Sequence, residues 1–263
     1  MTGRLAPRSV SRPLEVVIRH IRALSAVSDA ELELLRSLGE RRERFVAGEE
    51  LVSEGDLAVH PRFILSGWAC RQRVLPDGRR QIFSFLLPGD GIGLDRRTGP
   101  EPATVVALTA LETVDAAPVV NAVQAGRAPG LARALAAIEP LEHQLLLDHM
   151  VRLGRQTAYE RVAHFLLELQ RRLEITGLGD NQRFPLPLTQ EIMADALGLS
   201  IVHVNRTLQQ LRRERLLELR SGVTILLQRD QLANIADYRA PGPRQLASGR
   251  PGTRSDLEDS APC

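Results

Sequence analysis

The chain has 263 residues, room for one large domain or two of ordinary size, and 43% of them are apolar, enough to build a core. It contains no run of about 18 apolar residues, so a membrane-spanning helix is excluded, and its two cysteines, Cys70 and Cys263, are too few for a disulfide framework or a four-thiolate metal site. The formal net charge is only +2 but unevenly spread: residues 155–229 hold eleven arginines against eight carboxylates, a local excess of the sign that nucleic acids attract.

Residues 1–13 are rich in Arg, Ser and Pro and lack an apolar stretch, so they read as a mobile arm and not as a secretory signal. A reducing cytoplasm is the simplest setting. Leu14, Val17, Ile18, Ile21 and Leu24 then recur at helical spacing, and a second helix follows the start signal Ser28-Asp29. From Phe45 to Val114 short apolar runs alternate with Gly-rich turns every 10–12 residues, the texture of an antiparallel sandwich or barrel. Strands are predicted at 63–65, 68–70, 81–85 and 104–108, with Pro76-Asp77-Gly78 as a hairpin turn. Cys70 beside Trp68 reads as core.

The chain becomes helical again from Gly130. Leu131, Leu135, Ile138, Leu141 and Leu145 form a stripe that Pro140 is expected to kink or break, and Gly154 marks an expected hinge. A helix from Tyr159 to Ile175 buries Val162, Phe165, Leu166 and Leu169 and ends at Gly177. After Tyr238 the Pro/Gly/Ser/Arg-rich tail reads as disordered.

Residues 184–227 carry the chemistry. Thr189 is an N-cap for a short helix that ends at Gly198, and Ser200 caps the next. In that second helix Val204, Leu208 and Leu211 stand at i, i+4 and i+7, while Val202, Arg206, Gln209 and Arg213 share the opposite face, flanked by His203 and Asn205. Polar and basic side chains on the exposed face of such a helix suit major-groove reading: Arg206 offers a fork to guanine, Asn205 and Gln209 pair with adenine or phosphate, and Arg212, Arg213 and Arg215 suit phosphates. A lone charged face is ordinarily solvated surface. Here two capped helices, a glycine turn and a following hairpin, with its turn at Ser221-Gly222, agree on a winged helix-turn-helix.

The stretch Leu188-Thr189-Gln190-Glu191-Ile192, continuing through Leu197-Gly198-Leu199-Ser200 to Asn205-Arg206-Thr207-Leu208, resembles the winged helix-turn-helix of the CRP/FNR regulators. Phe45-Val46-Ala47-Gly48-Glu49, Glu54-Gly55-Asp56, Gly67 and Pro88-Gly89-Asp90 resemble that family's cyclic-nucleotide-binding-like jelly roll, and the likeness spans about residues 20–228. It implies an α+β fold: a disordered arm (1–13), a sensory β-roll (14–129), a dimerisation helix and hinge (130–154), a winged helix-turn-helix domain (155–238) and a disordered tail (239–263). It further implies a cytoplasmic homodimeric transcription activator that binds double-stranded DNA at a near-palindromic site through Ser200, Val202, His203, Asn205, Arg206, Gln209, Arg212 and Arg213, with RNA polymerase as a partner.

The departures are informative. Family members that bind cyclic nucleotide carry Gly-Glu after the Pro-Gly-Asp turn and an arginine before the next strand. Here these positions read Gly93-Leu94 and Glu101-Pro102-Ala103-Thr104, which argues against cyclic AMP, although Arg96 or Arg97 could supply a displaced cation. No cysteine precedes Cys70, so an iron–sulfur cluster is not expected, and no cofactor is assigned. The alternative is gating by an unidentified small molecule, or by haem with His20, His60, Cys70 or His143 as ligand. Where many members have a glutamate, Val202 can touch only a thymine methyl. No GxSxG, Walker loop or HExxH motif is present, and Asp148-His149 with Asp195 form no credible triad, so an enzyme is not expected.

Overall fold

Alternating strands and turns build the front half of the molecule, and helices flank it. In this computed structural model residues 13–40, 42–94 and 99–240 are described. Residues 1–12, most of the tail and the Arg96-Arg97 pair lie outside the described residues. Two helices, α1 (Glu15–Leu24) and α2 (Asp29–Ser37), lead through a 3₁₀ turn into eight strands: β1 (Arg42–Phe45), β2 (Glu50–Val52), β3 (Arg62–Ser66), β4 (Ala69–Val74), β5 (Arg80–Leu86), β6 (Gly91–Ile92), β7 (Thr104–Ala107) and β8 (Leu111–Asp115). They form two antiparallel sheets, ordered β1-β8-β3-β6 and β2-β7-β4-β5. Val52, Ile64, Ala69, Leu86, Val105 and Leu111 fill the space between the sheets. The Pro76-Asp77-Gly78 turn joins β4 to β5, where Leu75 N–H donates to Arg79 O at 2.7 Å.

The other face of β3 and β8 is covered by α1, α2, α3 (Ala117–Gln124) and the start of α4 (Pro129–Arg155) through Val17, Ile21, Leu35, Val119 and Leu131. Helix α4 runs unbroken through Pro140, which forfeits one backbone bond at a cost of about 3 kcal/mol. Packing on both sides offsets this: α1 and α5 lie against α4, and Glu142, half a turn beyond the proline, accepts from Arg71 of β4 at 2.8 Å. The helix also passes Gly154. The break falls instead at Gln156 and Thr157, because Thr157 and Glu160 form a capping box that starts α5 (Ala158–Thr176).

The C-terminal part continues with β9 (Arg183–Pro185), α6 (Gln190–Leu197), α7 (Ile201–Arg213), β10 (Leu217–Arg220), β11 (Val223–Leu226) and α8 (Arg229–Ile235). Its core is built from Phe165, Leu166, Met193, Leu197, Val204 and Leu208 and runs on without interruption into Trp68, Cys70, Ile82 and Phe85 of the roll. Among the described residues no helix is long and apolar enough to cross a membrane.

Candidate nucleic-acid interface

The caps form as their residue types dictate. Thr189 Oγ1 accepts from the Ile192 N–H at 3.2 Å to start α6, and Ser200 Oγ accepts from the His203 N–H at 3.2 Å to start α7. Between them Gly198 takes φ +60°, a left-handed turn that costs glycine nothing. Val204, Thr207, Leu208 and Leu211 are buried. Ser200, Val202, His203, Asn205, Arg206, Gln209, Arg212 and Arg213 are all exposed. Val202 is 61% exposed.

Strands β10 and β11 pair through a two-residue turn with positive φ at Ser221 and Gly222, the twist-matched hairpin geometry. Strand β9 adds itself to β11, Phe184 opposite Thr224, so the wing is three-stranded. Pro185 is tolerated there because β9 lies on the sheet edge. Arg161 donates to Leu197 O at 3.0 Å, and Tyr159 donates to Glu214, which pins α5 to the turn and to the C-terminal end of the helix-turn-helix.

Three further arrangements were invisible in the sequence because their partners are distant in it. The first lies at the α4–α5 break. Arg152, 3% exposed, donates to Glu168 at 2.7 Å and to Nδ1 of both His149 and His164 at 3.3 Å. A guanidinium has only donors, so both rings must be neutral acceptors at Nδ1. Burial, reinforced by the Arg152 charge, pushes both histidines down to about 4. Burial also raises Glu168, but Arg152 and Arg172 outweigh it and hold that carboxyl below its ordinary value.

The second is a clamp between roll and helix-turn-helix: Arg80 of β5 donates through Nε and Nη2 to Asp195 of α6 at 2.8 and 2.5 Å. Beside it Cys70 is buried, as its core reading expected, and burial pushes its thiol up to about 12.

The third is a cavity of about 740 Å³ between the roll and α4, lined by Arg71, Arg73, Phe83, Ser84, Leu141 and His143 among others. Its cations face carboxylates of the same chain: Arg71 to Glu142 at 2.8 Å, Arg73 to Glu54 at 3.0 Å and Arg172 to Asp90 at 2.6 Å. Of the other possible haem ligands, His20 also lines this cavity but lies 2.9 Å from Gly89 O, and His60 lies 3.2 Å from Asp115.

The family model of the cyclic nucleotide-binding domain matches residues 42–115, and that of the Crp-like helix-turn-helix domain matches residues 160–235. The chain is 35% identical over 215 residues to the nitrogen fixation regulation protein FixK of Bradyrhizobium diazoefficiens, covering 81% of this chain and 89% of that one. It is 29% identical over 223 residues to the transcriptional activator protein FnrL of Cereibacter sphaeroides, covering 83% and 89% respectively. The solved structure of FixK2 from Bradyrhizobium japonicum superposes with a TM-score of 0.65 at 31% identity, covering 77% of this chain and 98% of that one.

Proposed function

Because this chain belongs to the CRP/FNR family of transcription regulators, we propose that it binds a near-palindromic promoter site as a homodimer, with one α7 helix in each major groove. The carrying observation is the exposed, capped face of α7. Arg206 takes a guanine edge, Asn205 and Gln209 read adenine or phosphate, Val202 meets a thymine methyl, and Ser200, His203, Arg212 and Arg213 hold the backbone. The wing lies against the flanking phosphates.

Dimerisation is supported by α4, where Leu146, Leu147, Met150 and Val151 are 44–61% exposed along one stripe. The functional division is then 14–129 for the roll, 130–154 for dimerisation and 155–238 for DNA, within a cytoplasmic activator whose partner is RNA polymerase. Gel-shift titration against a library of palindromic sites tests this. Binding should be dimeric and fall steeply with salt, as phosphate neutralisation requires. Salt-insensitive binding, or none, would overturn it.

Neither cyclic AMP nor an iron–sulfur cluster is the signal in this reading. Gly93-Leu94 and Glu101 replace the usual phosphate and ribose contacts, and the cavity's arginines are committed to Glu142 and Glu54. Cyclic AMP should therefore leave the melting temperature unchanged; a saturable rise would contradict this. The cavity's size favours a second reading, gating by another small molecule, with haem as one case. Absorption spectra of the purified protein test the haem case.

A further inference from the structure

The side-chain amide of Asn205, on α7, donates from Nδ2 to Oε1 of Gln190 at 3.1 Å. Gln190 is the first residue of α6, immediately after its Thr189 cap, so its backbone is fixed by that cap. The contact therefore reaches from the supporting helix to the exposed face of the next one. An exposed asparagine ordinarily samples several rotamers and both amide orientations. This one is tethered, with its nitrogen edge turned to Gln190 Oε1.

The consequence follows from hydrogen-bond inventory. A primary amide has two N–H donors and one carbonyl. One N–H goes to Gln190, which leaves Asn205 one N–H and Oδ1 side by side. That donor–acceptor pair is the complement of the N7 and N6 edge of adenine in the major groove. Gln190 keeps its own amide nitrogen, two donors suited to a phosphate oxygen.

Resting on the assignment of α7 as the base-reading helix, we infer that Gln190 is a specificity-determining positioning residue: it orients Asn205 so that each half-site must contain one adenine, distinct from the pair read by Arg206. Immobilising a free side chain on binding costs enough to lower affinity roughly three- to tenfold, and the tether removes that cost for adenine alone.

The test is selection of bound sequences from random DNA, followed by affinity measurement on the selected site and on its single-base variants. Wild type, Gln190→Ala, Gln190→Glu, Asn205→Ala, Arg206→Ala and the Gln190→Ala/Asn205→Ala double variant are compared. One adenine position should vanish from the Asn205→Ala profile. In Gln190→Ala, discrimination at that same position should fall roughly three- to tenfold with other positions unchanged, matching the lost preorganisation. The double variant should equal Asn205→Ala there. Gln190→Glu keeps an acceptor for Asn205, so it should retain adenine selectivity while binding every sequence more weakly. A uniform loss in Gln190→Ala, or an undiminished Gln190 effect in the Asn205→Ala background, would overturn the inference while leaving α7 as the reader. Unchanged profiles in both Asn205→Ala and Arg206→Ala would remove the underlying assignment and the inference with it.

Discussion

Arg152 shows how a single side chain can govern a junction. It sits where the long helix meets the DNA-binding half, buried with Glu168, His149 and His164. Removing one partner of a buried ion pair strands the other, so Glu168→Gln should cost about 3–5 kcal/mol in urea unfolding. The histidines make the same site sensitive to pH. Their ordinary value of 6.5 falls to about 4 in the folded chain because burial disfavours the charged rings. Between those values the unfolded chain binds protons that the folded chain does not. Stability is thus complete above about pH 6.5 and declines as pH falls toward 4, by up to about 1.4 kcal/mol per pH unit for each histidine. Asp148, raised by burial, acts in the opposite sense but is one carboxyl against two rings. Urea midpoints at pH 7 and pH 5 check this; equal midpoints would contradict it. No sequence pattern announces the cluster, since an isolated histidine on a helix carries no sign of its partner.

At the scale of elements, what was legible was local. Ser28, Thr189 and Ser200 cap their helices, Gly198 and Ser221-Gly222 turn the chain, and period-2 and period-3.6 patterns separate strands from helices. The strands β2 and β6, of three and two residues, are too short for a periodic signal, and Gly154 gave a weaker boundary than the Thr157–Glu160 box. Non-local caps were hidden. Glu31 closes the capping box of α2 and, 99 residues away, its Oε1 accepts from the Gly130 N–H at 2.6 Å and the Leu131 N–H at 3.0 Å. It thereby supplies the cap that Ala128 cannot give α4. A Cβ on Gly130 would lie 2.6 Å from Glu31 Oε2, so the approach needs glycine. Burial raises Glu31, but its hydrogen bonds from Ser28, Leu131 and Gly130 outweigh this and lower it. Glu31→Ala opens two helix ends and should cost about 2–4 kcal/mol, read as a lower thermal midpoint. A loss below about 1 kcal/mol, that of one exposed cap, would show that α4 does not depend on it.

For the whole molecule, the family and order of parts were legible because two sets of motifs occur in one chain. The joining of those parts was not. The apolar seam from Trp68 and Phe85 to Phe165, with the Arg80–Asp195 clamp, packs the helix-turn-helix against the roll. Pairing of two copies should need the exposed stripe on α4. Met150→Glu, on a residue 61% exposed, should leave the melting temperature of the monomer intact, convert the dimer to monomer in sedimentation, and weaken DNA binding with it. A variant that remains dimeric would place the interface elsewhere.

Helix α7 is the proposed base reader, with Arg206 foremost. The direct measurement is the affinity of wild type and Arg206→Ala for the selected site and for unrelated DNA at one salt concentration. Loss of a bidentate guanine contact predicts about a 5- to 150-fold drop on the selected site, with affinity for unrelated DNA nearly unchanged. Equal binding of the two proteins to both DNAs would contradict the account.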